Sequence, residues 1–403
     1  MLVGTVSMLS LAGGYMQVIQ LIYLSLLGFD TVSIGLLASL AAIAPLRMVG
    51  YGIIADKYGR TKVLAFIYLT SAVYFTIYYF TTEFTWFVLA ALIAGGSMGG
   101  VEYGVVIDQA LLADKSNKET RTMSFSIRSF FAAIFSIVGN SLSSLPEHLQ
   151  TAYGMDVISS VKPLFLLGAL ICLGAMLSAL SISEDITTRK KTVAKKHLIP
   201  QQSRGLILRL SLSSLIMGIG NGVFYRLVSL WFWLSYNVEM SAIGYILAGS
   251  KIVEAPTFLL APFIASKLGL VRSYLIIRLL GMGAFSLMPL MPTAILAAIT
   301  FAVRSAIMHL ALPLKTSYMM AQVTPEERAS AASLIQIPGI IPRASAIALG
   351  GYLMEYVSTA LPVYISVAAF SSEAVYYYFA FRKLKPPEER MQGDAHKNAD
   401  SQV

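Results

Sequence analysis

The chain contains 403 residues, of which 56% are hydrophobic and 13% are charged. Because soluble domains carry about 25% charged residues, this composition excludes an ordinary soluble protein. The apolar runs exceed the roughly 18 residues that indicate a membrane helix, and they are continuous rather than alternating, which excludes a transmembrane barrel. We therefore predict an all-α membrane protein.

In chain order, the apolar runs predict twelve transmembrane helices in two six-helix bundles, with both termini in the cytoplasm. The N-terminal bundle comprises residues 1–183 and the C-terminal bundle residues 205–381. A basic cytoplasmic linker is expected at 184–204 and a cytoplasmic tail at 382–403. The predicted spans are, within several residues, about 3–27, 32–55, 63–80, 85–112, 121–145, 162–183, 205–235, 240–266, 271–290, 292–320, 329–355 and 359–381.

The net charge of +9 raises the question of nucleic-acid binding. The basic residues fall in alternate connections and in the tail, whereas the opposite loops carry six acidic residues and a single cation, Lys162. This asymmetry is the positive-inside rule, and it orients the protein with its termini inside. The charge therefore predicts contact with membrane lipid and no nucleic-acid partner.

Two further absences narrow the class of protein. The first basic residue is Arg47, so no cleavable signal peptide is expected. Cys172 is the single cysteine, which excludes an internal disulfide, and no cluster with metal-ligand spacing is present in the sequence. We predict no metal and no cofactor.

The most informative segment is 52–62, which lies between the second and third predicted spans and reads GIIADKYGRTK. A weaker copy, Ala265-Ser266-Lys267-Leu268-Gly269, follows about 210 residues later. Two other segments recur in the same order and at nearly the same offset: 33–37 at 242–246, and 114–121 at 321–328. Three ordered repeats indicate a duplication.

The 52–62 segment resembles the signature that the major facilitator superfamily carries between its second and third helices. The resemblance covers roughly residues 3–381. It implies two six-helix halves related by an axis along the membrane normal, a solute site near the bilayer midplane and alternating access. It also implies that spans 1, 4, 7 and 10 surround the central cavity.

The resemblance further implies a cytoplasmic gate. Gly52 allows a close helix approach, and Gly59 allows a tight turn into span 3. Asp56 faces the N-terminus of span 11, and Arg60 pairs with Asp114. The alternative is a basic loop that only sets the topology. Ser266 and Ala321 replace the two acids in the second repeat, so the C-terminal half lacks an equivalent latch.

Charged side chains at bilayer depth are expensive and are functional candidates by default. Three arginines are candidate solute ligands: Arg226 in span 7, Arg304 in span 10, and Arg343, which follows Pro342 in span 11. Gln17 and Gln20 share a face of span 1 and either bind solute or hold span 1 against span 5. The excess of cations favours an anionic solute.

The candidates for proton coupling are Glu102 in span 4 and His309 in span 10, which the repeat offset makes equivalent positions. Histidine titrates near neutral pH, and burial moves a carboxylate toward that range. The simpler readings are a hydrogen-bonding His309 and a Glu102 that neutralises an arginine. Lys251 and Glu254 are expected to neutralise each other within span 8, and Glu373 in span 12 has no evident partner.

These patterns predict a monomeric secondary transporter of the cell membrane that moves a small organic solute, with H+ as coupling ion and an organic anion favoured. A multidrug–proton exporter is the main alternative, although span 5 lacks the Gly-Pro signature of many such antiporters and Ala91 occupies the usual arginine position of span 4. A polytopic membrane enzyme is a remote alternative, because no nucleophile–base pair or phosphate-binding loop supports it. We therefore predict no enzymatic activity.

Overall fold

The computed structural model describes residues 2–43, 46, 51, 54–55, 59–94, 107–109, 111–112, 118–182, 204–257, 260–322 and 334–383. All regular structure in these ranges is helical, which confirms the all-α prediction. The helices are α1 Leu2–Leu26, α2 Thr31–Ile43, α3 Arg60–Phe80, α4 Phe84–Ala94, α5 Lys118–Leu142, α6 Leu145–Tyr153, α7 Val157–Leu180, α8 Arg204–Val223, α9 Val228–Tyr236, α10 Met240–Thr257, α11 Ala261–Leu268, α12 Leu270–Leu287, α13 Ala294–Gln322, α14 Ile340–Tyr356 and α15 Leu361–Phe381.

Within the described ranges, eight helical segments are long and apolar enough to cross a membrane, and α2 and α4 are shorter apolar helices. The full count of twelve spans includes residues outside these ranges and stays a prediction. Helix α8 and helix α9 together correspond to the predicted span 7, with a 3₁₀ turn at Tyr225–Leu227 between them.

The two repeats begin their third helices in the same way. Gly59 has a φ of 106° immediately before α3, and Gly269 has a φ of 76° immediately before α12. Residues with side chains rarely adopt these angles, whereas glycine does so without steric cost. The glycines of the repeated motif therefore occupy equivalent turns.

The chain forms two compact units. The first comprises residues 1–195, 222–249 and 344–359. Within it, α1 packs against α5 and α7, and α3 packs against α4 and α7. Its core contains an aromatic cluster of Tyr23, Tyr78, Phe87 and Phe165, whose neighbouring ring centroids lie 4.5–6.5 Å apart.

The second unit comprises residues 196–221, 250–343 and 360–403. Within it, α12 packs against α13 and α15. Its core contains Tyr274, Tyr318, Tyr377 and Phe381, with the Tyr274 and Tyr377 centroids 4.4 Å apart. The prediction of two bundles at 1–183 and 205–381 is not tested by this grouping.

Each unit contains a tight crossing of helical segments at glycine. In the first unit, a Cβ on Gly14 of α1 would lie 2.8 Å from the backbone nitrogen of Asn140 in α5. In the second, a Cβ on Gly339, which ends a 3₁₀ turn before α14, would lie 2.6 Å from the backbone oxygen of Ser214 in α8. Both crossings require a residue without a side chain.

Candidate functional site

A buried cluster of charged and hydroxyl groups lies in the second unit. Glu373 of α15 is fully buried, and its carboxylate accepts hydrogen bonds from Tyr274 Oη at 2.6 Å and from the Ser213 hydroxyl. Lys315 Nζ of α13 lies 3.0 Å from Glu373 Oε1, and Arg278 Nη2 of α12 lies 3.7 Å from Oε2. Four helices therefore contribute to one polar site inside an apolar bundle.

The cluster carries more positive than negative charge. Among the described residues, Glu373 is the one carboxylate that faces the two cations Lys315 and Arg278. Arg278 is 2% exposed, donates from Nε to Tyr274 Oη at 3.0 Å, and leaves Nη2 without a hydrogen bond. Buried charge is stable only when it is paired, so the site favours an additional negative group.

A cavity of about 260 Å³ opens beside this cluster, and Lys315 belongs to both. Its polar wall consists of Ser214, Asn221, Lys315, Gln336 and Arg343. Its apolar and glycine wall consists of Leu210, Met217, Met319, Ile335 and Gly339. Because ligand pockets measure roughly 300–1,000 Å³, this cavity suits a small molecule.

A local interruption in the chain shapes one wall of this cavity. Residues Ile337–Gly339 form a 3₁₀ turn that contains Pro338, and α14 begins at Ile340. The irregular turn is therefore at Pro338, and Pro342 lies in the first turn of α14, where a missing N–H costs little. This places Gln336 before the turn and Arg343 after it, both on the cavity.

A second polar pair joins α10 and α13. His309 Nδ1 lies 3.5 Å from Glu254 Oε2 and 2.9 Å from the Ser305 carbonyl oxygen one turn earlier. The two side chains are 26% and 14% exposed. An imidazole beside a carboxylate within a membrane helix is a candidate functional pair.

The predicted arginine ligands occupy different environments. Arg343 lines the cavity. Arg304 is buried on α13 with its guanidinium carbon 4.5 Å from the Phe285 ring centroid, and Arg226 is half-buried in the 3₁₀ turn of the first unit. Neither Arg304 nor Arg226 lines this cavity, so their role as solute ligands stays a prediction.

The two predicted glutamines of α1 also differ. Gln20 is buried, and its amide nitrogen donates to Tyr74 Oη at 2.7 Å, which ties α1 to α3. Gln17 is half-buried. Gln20 therefore joins two helices, which was the alternative to solute binding. The helix that it joins to α1 is α3, whereas span 5 was expected.

Several predicted site residues lie outside the described ranges. Glu102 of the coupling pair and Gly52, Asp56 and Asp114 of the gate are in this group. Of the remaining gate residues, Gly59 forms the turn described above, and Arg60 is the first residue of α3 and half-buried. The gate and the role of Glu102 stay predictions.

Sequence reasoning misses the Glu373 cluster. It assigns Glu373 no partner and does not connect that acid with Lys315 or Arg278. It also names Lys251 as the neighbour of Glu254 but does not foresee that His309 lies 3.5 Å from the same carboxylate. The sequence feature that could have revealed the cluster is a single acidic residue within an apolar helix. A fully buried carboxylate requires a cationic or hydrogen-bonding neighbour.

The predicted extracellular end of the first unit carries a further set of contacts. The Glu355 carboxylate at the end of α14 accepts hydrogen bonds from the Thr31 hydroxyl and, at 2.9 Å, from the Thr31 backbone N–H at the start of α2. Glu147 Oε1 accepts from the Ser241 N–H at 3.0 Å. The neighbouring charge of Glu147 raises the pKa of Glu239 above its ordinary value.

The comparisons with known proteins agree with this architecture. Residues 1–210 match the family model described as Major Facilitator Superfamily, which is just over half of the chain. The chain therefore belongs to the major facilitator superfamily, and it is a membrane transporter rather than an enzyme. No curated protein sequence matches it.

Solved structures of low sequence identity share the fold. A mutant of the nucleoside transporter NupG has a TM-score of 0.74 at 17% identity, covering 94% of this chain and 100% of that chain. A bacterial homologue of the human lysosomal transporter Spinster has a TM-score of 0.73 at 13% identity, covering 94% and 95%. An auto-inhibited peptide transporter of the POT family has a TM-score of 0.70 at 11% identity, covering 95% and 96%.

Proposed function

We propose that the protein is a proton-coupled secondary transporter of the cytoplasmic membrane that moves a small organic solute, with an organic anion favoured, by alternating access as a monomer. The observation that carries the proton coupling is the pair of His309 and Glu254, 3.5 Å apart on α13 and α10. A transporter that works against a gradient needs a group that loads and releases an ion during each cycle. Imidazole is the side chain whose ordinary pKa lies in the physiological range.

Electrostatics supports one shared proton for this pair. Protonated His309 neutralises Glu254, and loss of the proton leaves the carboxylate to be balanced by Lys251 one turn earlier on α10. Neither side chain is fully buried. A proton at this position therefore changes the charge of α10 and α13 together.

The test is solute uptake into proteoliposomes with and without an imposed pH gradient. We expect Glu254→Gln and His309→Gln to abolish gradient-driven uptake while leaving counterflow exchange, because exchange requires alternating access but no net proton release. Glu83→Gln, at an exposed loop position, is the matched control and should behave as wild type. Gradient-driven uptake that survives in both site variants would refute this assignment.

Glu102 provides the competing assignment, since it is equivalent to His309 in the repeat. If Glu102→Gln alone abolishes gradient-driven uptake and Glu254→Gln does not, the proton is carried at Glu102. The multidrug exporter stays the alternative, and the binding test below includes an aromatic amine that would support it.

The cytoplasmic gate is proposed on the motif alone. Asp56→Asn removes a negative charge from its place opposite a helix N-terminus, a favourable interaction of up to about 2 kcal/mol when partly buried. We expect a larger population with the cytoplasmic side open. Distance measurements between spin labels on spans 2 and 11 provide the readout, and unchanged distances would remove Asp56 from the gate.

A further inference from the structure

We propose that the ammonium group of Lys315 leaves Glu373 and pairs with the negative group of the solute. We further propose that the solute is a small organic carboxylate with an apolar body. This inference rests on the proposed function, because it names the solute class and the anchor residue of that transporter. The sequence alone assigns Lys315 no role with solute.

The first argument is that Lys315 faces both the charged cluster and the cavity. Its Nζ lies 3.0 Å from Glu373 Oε1 and 2.6 Å from the Ser213 hydroxyl, while the side chain lines the cavity and is 15% exposed. A lysine carries a compact charge on a flexible stem, so its ammonium can turn from one acceptor to another without moving the backbone.

The second argument is that Glu373 does not lose all its partners in the exchange. When Lys315 turns toward a solute carboxylate, Arg278 remains 3.7 Å from Glu373, and Tyr274 continues to donate its hydroxyl hydrogen bond at 2.6 Å. Arg278 Nη2 makes no hydrogen bond of its own and can take the vacated position. Breaking a buried pair is costly when it leaves a charge alone, and here it does not.

The third argument is charge balance. The cluster holds two cations and one carboxylate, so a bound monoanion gives each cation one negative partner. A cationic solute would add a third positive charge to a buried site, and a neutral solute would leave the excess unpaired. The cluster therefore selects an anion.

The remaining wall of the cavity defines the rest of the solute. Leu210, Met319 and Ile335 form an apolar surface, and Asn221 and Gln336 supply amide groups that can hydrogen-bond a polar substituent. The volume of about 260 Å³ suits a small molecule. These features favour a short organic acid over a large lipid or drug.

The test is binding to purified full-length protein in detergent, without a pH gradient. The probes are acetate, lactate, hexanoate, benzoate and succinate, each paired with its neutral amide, together with benzylamine and inorganic phosphate. Ligand-dependent thermal shifts rank them, and calorimetry measures the dissociation constant of the best one. We expect a carboxylate to bind at least tenfold more tightly than its amide.

Variants then assign the anchor. Lys315→Gln should weaken carboxylate binding by roughly tenfold to a hundredfold, the usual effect of a lost charged hydrogen bond. Glu373→Gln should bind the carboxylate at least threefold more tightly than wild type, because Lys315 is released from its internal partner. Lys267→Gln, at an exposed lysine of α11, is the matched control and should bind as wild type.

The double variant Lys315→Gln/Glu373→Gln guards against misfolding, since it removes both members of the pair together. We expect it to fold and to bind the carboxylate no better than Lys315→Gln. Carboxylate binding in Lys315→Gln within twofold of wild type, equal binding of the amide, or a best ligand that is benzylamine or phosphate would each overturn the proposal.

The experiments distinguish a failure of the proposed proton coupling from a failure of the proposed carboxylate site. Gradient-driven uptake of a neutral solute, with wild-type binding in Lys315→Gln, would refute the carboxylate site and leave proton coupling intact. Carboxylate binding that depends on Lys315, with uptake indifferent to a pH gradient, would support the site and refute the proton coupling.

Discussion

Gly339 lines the cavity where α8 crosses the turn before α14, and this close crossing makes the position sensitive to any added side chain. A Cβ at Gly339 would lie 2.6 Å from the backbone oxygen of Ser214, closer than real Cβ contacts, and the obstacle is backbone rather than a flexible side chain. In Gly339→Ala one of the two segments must therefore shift. Overpacking of this kind costs roughly 1–3 kcal/mol.

The same displacement should reach the solute site, because Gly339 and Ser214 both line the cavity. We expect Gly339→Ala to lower the free energy of unfolding by about 1–3 kcal/mol and also to weaken solute binding. Chemical or thermal unfolding in detergent, followed by tryptophan fluorescence, measures the first effect. The calorimetric titration described above measures the second.

Gly283→Ala is the matched control, because Gly283 lies inside α12 and a Cβ added there would have no heavy atom of a neighbouring segment within 4 Å. Replacing an unobstructed helix glycine with alanine stabilises by roughly 0.5–1 kcal/mol. The two substitutions are chemically identical and should have opposite signs. Equal stability of Gly339→Ala and Gly283→Ala would refute the proposed close crossing.

Three further predictions concern single carboxylates. Glu373→Gln leaves two buried cations without their counter-charge and should cost about 3–5 kcal/mol of unfolding free energy, whereas the double variant with Lys315→Gln should recover part of that loss. Glu355→Gln removes the negative charge that accepts the Thr31 N–H at the start of α2. We expect it to cost roughly 0.3–1 kcal/mol and to increase the separation of spin labels on α2 and α14. Because Glu147 raises the pKa of Glu239, the folded state loses stability as the pH rises through that pKa. Glu239→Gln should therefore raise the Tm near pH 7 and leave it unchanged below about pH 4. A lower Tm of this variant at pH 7 would contradict the repulsion between the two carboxylates.

Much of the architecture was predictable from local patterns. Continuous apolar runs identify membrane helices because the transfer of each side chain into lipid depends little on its neighbours. The turn glycines Gly59 and Gly269 were recognisable as members of one repeated motif, and both adopt the positive φ that such a turn requires. The family followed from that motif and its position between two apolar runs.

The pairing of the buried charges was not predictable in this way. Lys315 and Glu373 belong to different helices, and Arg278 belongs to a third, so their contact depends on the rotation and depth of each helix. The same holds for His309 and Glu254, which lie on different helices and whose contact the sequence does not indicate.

The sequence by itself therefore determined that this protein crosses the membrane as helices, that it carries three ordered repeats and that it belongs to a transporter superfamily. Only the tertiary structure decided which cation meets Glu373, which carboxylate meets His309, and where a cavity opens beside Lys315. The reason is physical. Burial in lipid is a property of each segment, whereas an ion pair is a distance between segments, and that distance is set by the packing of side chains along the whole length of both helices.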